Sequence, residues 1–185
     1  TMEDMENRLS DEAIHAGVRD TGGRVTLAIY DCKKPVIAAI NGAAVGIGAT
    51  MTLAMDMRLA SEKARIGFVF GKIGITPEAC SSWFLPRIVG ISQALEWVYS
   101  GDILTPAEAL HGRLIKAVYS PEELLNEAYK LAHKCVDHRS PVAVALARQL
   151  MYRSAENHPI EAHKSDRWPC FIPVWVMAKK ALNPF

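Results

Sequence analysis

A short apolar run that ends in a glycine-rich turn constrains the fold of this chain more than any other segment. The run from Pro35 to Ile40 is stopped by Asn41-Gly42, which is typical of a buried strand that enters a turn. Small residues follow, and the stretch from Thr50 to Met55 is typical of a buried helix. Two further short strands are predicted, over Asp56 to Ala60 and Arg65 to Phe68. The order strand, turn, helix, strand predicts an α/β fold with a parallel sheet.

The segment before this run is less decisive. Residues Thr1 to Arg19 are polar, with a weak helical spacing of apolar side chains, and Gly22-Gly23 is expected to end that helix. The stretch from Val25 to Tyr30 fits either the end of a helix or a short strand, and its periodicity does not decide between them.

Pairs of a hydroxyl residue and a proline mark the predicted helix starts of the second half, because the hydroxyl can cap a helix whose first position suits proline. These pairs are Thr76-Pro77, Thr105-Pro106, Ser120-Pro121 and Ser140-Pro141. The pairs at 105 and 120 also complete the capping-box pattern with a glutamate. We therefore predict an α/β core over residues 1–103 and a helical region over residues 104–185.

Composition narrows the class of partner and site. The 185 residues carry 21 basic and 20 acidic side chains, so the net charge of +1 gives no electrostatic reason to expect nucleic acid or an anionic membrane as partner. The four cysteines are far apart and are expected to be reduced thiols, and the six histidines lack the H-E-x-x-H spacing, so no metal site is predicted.

The expected location is intracellular and soluble. The acidic start lacks the apolar run of a signal peptide, and no stretch approaches the ~18 apolar residues of a membrane span. Cytoplasm, mitochondrion and peroxisome remain open as compartments.

The glycine-rich turn is the first candidate site. Glycines at positions 42, 46 and 48 let the strand turn sharply into a helix and leave backbone N–H groups free at the helix start. Such groups can bind an anion or a developing oxyanion. The spacing matches neither the G-x-x-x-x-G-K-[ST] phosphate loop nor G-x-G-x-x-G. A tight turn that merely requires small residues is the alternative.

Glu78 is the second candidate. After Thr76-Pro77 it is predicted to occupy the second helical position, where the helix dipole favours a carboxylate. Apolar neighbours, including Ile75 and Trp83, would then surround an ionised base. The alternative is a surface glutamate that only completes a helix start.

Four motifs in matching order and spacing resemble the enoyl-CoA hydratase/isomerase (crotonase) family over about Arg24 to His163. They are Lys34 to Gly42, Val45 to Gly48, Ala60 to Ala64 and Pro86 to Gly90. The resemblance implies a crotonase-like spiral of ββα units, here incomplete at its N-terminal side. It also implies a helical C-terminal region that builds homo-oligomers, either trimers or dimers of trimers. The stretch from Trp168 to Trp175 is expected to contribute to the packing of the subunits.

The resemblance also implies a reaction. The N–H of Ile47 falls at one oxyanion-hole position, while Thr50 and Phe70 stand where hydratases carry two catalytic glutamates, so ordinary hydration is not favoured. The stretch from Gly74 to Ser82 is similar to peroxisomal-type Δ3,Δ2-enoyl-CoA isomerases, in which a Pro-Glu-x-Cys-Ser glutamate is the acid/base; Glu78 matches it. The substrate would be an acyl-CoA thioester, with no further cofactor. Its implied contacts are Ala44, Val45, Gly46, Thr50, Val69, Phe70, Pro77 and Trp83.

Two alternatives to isomerisation stay open. One is another reaction on the same fold, such as that of an unusual hydratase, a hydrolase or a lyase. The other is a non-catalytic module for CoA binding or oligomerisation, which is favoured because the family's Gly-Ala-Asp-type turn, the source of the other oxyanion donor, has no counterpart in the sequence.

Overall fold

Short parallel strands alternate with helices in the computed structural model, which describes residues 20–164. The elements are α1 (Thr21–Asp31), β1 (Ile37–Ile40), β2 (Ala43–Val45), α2 (Ile47–Leu53), β3 (Met57–Ser61), β4 (Arg65–Gly67), α3 (Phe70–Ile73), α4 (Ser81–Val89), α5 (Ile91–Ser100), β5 (Ile103–Leu104), α6 (Pro106–His111), β6 (Ala117–Tyr119), α7 (Pro121–Val136), α8 (Pro141–Arg153) and a 3-10 turn (Ser154–Glu156). The predicted helical spacing before Asp20 and the tail containing Trp168 lie outside the described residues.

Within residues 20–164, two three-stranded sheets organise the core. One has the order β1-β3-β6 and is parallel throughout, with Ala39 beside Leu59 and Leu59 beside Ala117. The other has the order β2-β4-β5, in which β2 and β4 are parallel and β5 is antiparallel to β4. The predicted α/β class, the strands β1, β3 and β4 and the helix after the glycine turn are confirmed. The strands β2, β5 and β6 were not predicted: β2 lies among the small residues that follow Gly42, and β5 and β6 stand directly before helix starts.

Two predictions about helix boundaries are wrong. Gly22 and Gly23 lie in the first turn of α1 rather than ending a helix, because Asp20 caps α1 by accepting the N–H of Gly23. Val25 to Tyr30 is therefore helical. Thr76-Pro77 starts no helix; α4 begins only at Ser81.

The other three predicted caps are confirmed. The side chains of Thr105, Ser120 and Ser140 accept backbone N–H groups three residues further on and begin α6, α7 and α8. Thr105 forms the complete capping box with Glu108. Local polar chemistry thus sets these three helix starts.

The predicted division after residue 103 stays a prediction. Strand β6 lies beyond this boundary and yet pairs with β3 of the predicted core. Helix α7 packs on β1 and β3. The elements after residue 103 therefore pair with and pack against strands that lie before it.

A buried ion pair ties α8 to the core. Arg148 Nε lies 2.9 Å from Asp56 Oδ1, and the two side chains are 5% and 18% exposed. The guanidinium also donates to the carbonyls of Ile29, Tyr30 and Cys32 at 2.6–2.9 Å. One side chain therefore fixes the C-terminal end of α1.

The Asp56 carboxylate accepts two further hydrogen bonds. Its Oδ2 accepts the N–H of Val36 at 2.7 Å, and its Oδ1 accepts the hydroxyl of Tyr152 at 3.0 Å. The pair thus joins α8, α1, the entry to β1 and the loop between α2 and β3. Below, this pair is called the Arg148 clamp.

Replacing Arg148 with methionine should lower the free energy of unfolding by about 3–5 kcal/mol, because it leaves the Asp56 carboxylate buried without its counter-charge. Urea denaturation measures this loss. The matched control is Lys72→Met, which breaks an exposed pair with Asp102 whose side chains are 53% and 68% exposed. Its cost should stay below about 1 kcal/mol. Equal losses in both variants would contradict the clamp.

Tyr152 should titrate far above an ordinary tyrosine. Burial raises the pKa of its phenol to about 12, and the charge of Asp56 and the hydrogen bond to it act in the same direction. Because the pKa in the unfolded chain is about 10, the resulting stabilisation is complete below that pH and is lost as the pH rises through the folded value. A rapid pH jump followed by phenolate absorbance measures the titration of Tyr152, as the difference between the parent and Tyr152→Phe. A difference centred near the ordinary pKa would refute the assignment.

Candidate functional site

The candidate site lies where the parallel strands β2 and β4 end. Val45 pairs with Gly67 at this edge, and the N–H of Gly46 donates to the Gly67 carbonyl at 3.2 Å. The chain then enters α2 after β2, and α3 after β4. Ligands of open α/β sheets commonly bind outside the carboxyl ends of the strands.

Gly46 sets the start of α2. Its φ of 57° is left-handed, which glycine adopts without a steric penalty, and no atom crowds the place of a Cβ there. The carbonyl of Gly46 accepts the N–H groups of Ala49 and Thr50 at 2.9 and 3.0 Å. Within residues 20–164, no backbone carbonyl or capping side chain accepts the N–H of Ile47. That donor is therefore available at the start of α2, as the sequence predicts; its role in an oxyanion hole stays a prediction.

Glu78 lies in the segment between α3 and α4. The predicted second helical position is wrong because Ile75 still bonds back to Phe70 at 3.1 Å, so the chain is only leaving α3 when it reaches Thr76. The Glu78 carbonyl accepts both the N–H and the hydroxyl of Ser81, at 2.9 and 2.6 Å.

The Glu78 side chain is half-buried, and no group in the described part of the chain hydrogen-bonds to its carboxylate. As far as residues 20–164 are concerned, the carboxylate is thus neither paired with a cation nor used as a helix cap. A base in this state can accept a proton from a ligand without first giving up a protein contact.

Gly22 of α1 packs against both segments that carry a candidate residue. A Cβ built at Gly22 would lie 2.8 Å from Ile47 Cδ1 and 3.2 Å from Ala79 Cβ. Helix α2 also packs on α1 and on α4. Ala79, the residue after Glu78, and the side chain of Ile47 therefore both pack at Gly22, whereas no sequence pattern indicates a role for Gly22 or Ala79.

The remaining predicted substrate contacts include exposed or half-buried side chains and also buried ones. Val45 is 39% exposed, and both it and the half-buried Val69 flank Gly67, where a built Cβ would meet their Cγ1 atoms at 3.5 and 3.4 Å. Pro77 is half-buried and Ala44 is buried.

Thr50 and Phe70 are 0% and 2% exposed, so their side chains lie in the protein interior. The Thr50 hydroxyl lies 3.5 Å from the Ile47 carbonyl, at the limit of a hydrogen bond. The structure gives no support to direct substrate contact by these two side chains, and the predicted contacts otherwise stay predictions.

Trp83 lines a cleft that lies apart from Glu78 and Ile47, here called the Trp83 cleft. It has a volume of about 550 Å³ and is lined by Leu27, Tyr30, Cys80, Ser82, Trp83, Tyr152 and Arg153. The guanidinium of Arg87 stacks 3.9 Å above the Trp83 ring. Neither Glu78 nor Ile47 lines this cleft, although Cys80 connects it to the segment of Glu78. The cleft is formed from α1, α4 and α8, which no local sequence pattern relates to one another.

Residues 20–164 contain no group of three or more His, Cys, Asp or Glu side chains that could hold a metal ion. Within the same part of the chain, no helix is both long enough and apolar enough to cross a bilayer.

Comparison with known proteins agrees with this architecture. Residues 1–168 match the enoyl-CoA hydratase/isomerase family. The chain is 46% identical over 147 residues to an enoyl-CoA hydratase of Alternaria alternata, covering 78% of this chain and 49% of that protein. It is 36% identical over 135 residues to the short-chain-enoyl-CoA hydratase of Clostridium acetobutylicum, covering 73% and 51%.

A solved structure shows the same fold. The enoyl-CoA hydratase/isomerase from Cupriavidus metallidurans superposes with a TM-score of 0.81 at 27% identity, covering 94% of this chain and 65% of that one. The chain spans about half the length of the curated relatives it matches. The predicted crotonase-like α/β fold is confirmed, and the chain belongs to the enoyl-CoA hydratase/isomerase family.

Proposed function

We propose that this chain supplies the acid/base and one oxyanion donor of an enoyl-CoA isomerase, which converts 3-enoyl-CoA to 2-enoyl-CoA. The observation that carries the proposal is the half-buried Glu78 carboxylate without a hydrogen-bond partner among residues 20–164. The next residue, Ala79, packs at Gly22 of α1, as does the side chain of Ile47 at the start of α2. The substrate class follows from the family, whose members act on CoA thioesters.

A double-bond shift needs one carboxylate. Glu78 removes a proton from C2, and the electron pair moves so that the thioester carbonyl oxygen becomes an enolate oxygen. The N–H of Ile47 donates to that oxygen, and the positive end of the α2 dipole supports the charge. The enolate then collapses as C4 takes the same proton back from Glu78, leaving the double bond between C2 and C3 and the enzyme unchanged.

Hydration would ask for more than these residues offer. A hydratase uses one carboxylate to activate water and another to handle the proton at C2. The two positions that carry these glutamates in hydratases hold Thr50 and Phe70, whose side chains are buried. Glu78 alone is suited to a reaction in which one proton leaves and returns.

Hydration is nevertheless the second candidate, because the relatives at 46% and 36% identity are named hydratases. In that case Glu78 would deliver a proton to C2 while water adds at C3. The two reactions differ in product: the isomerase yields 2-enoyl-CoA, and the hydratase consumes it to form 3-hydroxyacyl-CoA.

Replacing Glu78 with glutamine should lower the rate of 3-enoyl to 2-enoyl conversion by about 10²–10⁴ or more, since the amide keeps the shape but cannot accept the C2 proton. Absorbance of the conjugated thioester follows the reaction, and binding of a CoA ester should be nearly unchanged. Glu122→Gln, on the exposed first turn of α7, is the control. Equal rates in parent and Glu78→Gln would refute the role. A parent without activity would favour the non-catalytic module.

The oxyanion donor can be removed without removing the helix. Ile47 is the first residue of α2, a position that suits proline, so Ile47→Pro deletes the N–H and keeps the helix start. We expect kcat to fall by about 10²–10³. Ile47→Ala keeps the N–H and serves as control, with a smaller loss. If the proline and alanine variants were equally active, the backbone donor would play no part.

The proposed enzyme acts as a homo-oligomer, as a trimer or a dimer of trimers. Leu125 and Tyr129 of α7 are 57% and 59% exposed and lie one turn apart on the same face of the helix. Large apolar side chains in this arrangement support packing of α7 against another subunit.

A further inference from the structure

We propose that the turn formed by Ala79 and Cys80 positions Glu78, so that the direction of the carboxylate is set by strained backbone and not by a helix cap. The inference rests on the proposed function of Glu78 and deepens it. Ala79 and Cys80 are positioning residues in this account, since they act through Glu78.

The backbone conformation of this turn is unusual. Ala79 and Cys80 have φ values of 52° and 59°, so two successive residues with a Cβ are left-handed. Single left-handed residues other than glycine are uncommon, because the Cβ crowds the backbone. Such conformations persist where the surroundings over-determine them, and they concentrate at functional sites.

The surroundings of the turn do over-determine it. Ala79 is 0% exposed, and its Cβ packs at Gly22 beside the Ile47 side chain. On the other side, the buried Ser81 fixes the Glu78 carbonyl with two hydrogen bonds, from its N–H at 2.9 Å and its hydroxyl at 2.6 Å. Packing and hydrogen bonds thus hold the backbone on the C-terminal side of Glu78, whereas no group within residues 20–164 hydrogen-bonds to its carboxylate.

This arrangement separates two demands on a catalytic base. Hydrogen bonds to a carboxylate would aim it but would also occupy the oxygen atoms that have to accept the proton. Here the aim comes from the main chain, and Ala79 and the Ile47 side chain both pack at Gly22 of α1. The turn and the start of α2, which carries the candidate oxyanion donor, are therefore supported by the same helix.

The test replaces Cys80 with valine, whose β-branched side chain resists the left-handed conformation, and with glycine, which adopts it without a steric penalty. We expect kcat to fall by about tenfold or more in Cys80→Val with KM nearly unchanged, since misplacement by ~1 Å can cost 10²-fold. Cys80→Gly should retain most of kcat. Arg113→Val is the matched control, because Arg113 is also left-handed, with φ 61°, and is exposed outside the site. Its kcat should not change.

Carbon-13 NMR of protein labelled at the glutamate carboxyl carbons reports the position of Glu78 independently of activity. The Glu78 signal, assigned by its loss in Glu78→Gln, should be distinct in the parent and in Cys80→Gly and should shift towards the exposed glutamates in Cys80→Val. A signal that stays in place in Cys80→Val, or an unchanged kcat in that variant, overturns the positioning role. Full activity of Glu78→Gln would instead overturn the proposed function, so the two failures are distinct.

Discussion

Arg148 carries a positive charge into the interior, where all five of its N–H groups have to find acceptors. They find Asp56 and the carbonyls of Ile29, Tyr30, Cys32 and Ala54. A buried charge is tolerated only when it is paired and hydrogen-bonded to this degree. The rest of the structure depends on this pair because it determines where α1 ends relative to α2 and β3.

Helix α1 passes this constraint on to the site. Its C-terminal end is fixed by the Arg148 clamp, and its N-terminal part brings Gly22 against Ile47 and Ala79. The clamp thus stabilises the C-terminal end of α1. The N-terminal end of the same helix supports the segments that carry the candidate base and the candidate oxyanion donor. A fold held in this way can keep a strained turn next to Glu78, since the surrounding packing offsets the local cost.

Sequence patterns anticipate the parts of this molecule that local chemistry decides. The apolar run before Asn41, the glycine turn and three hydroxyl caps predict β1, the start of α2 and the starts of α6, α7 and α8. The Arg148–Asp56 pair joins residues 92 positions apart, which no periodicity indicates. Ala79 and Cys80 go against the local preference of their residue types, so Thr76-Pro77 was the stronger signal there and gave the wrong helix start.

The central claim is that one carboxylate both removes and returns the proton. Turnover of 3-enoyl-CoA carrying deuterium at C2, followed by mass spectrometry and NMR of the product, tests it most directly. We predict that a measurable fraction of the deuterium appears at C4 of 2-enoyl-CoA, because the half-buried Glu78 holds the label between the two steps. Formation of 3-hydroxyacyl-CoA, or a product whose C4 carries solvent hydrogen alone, would contradict it.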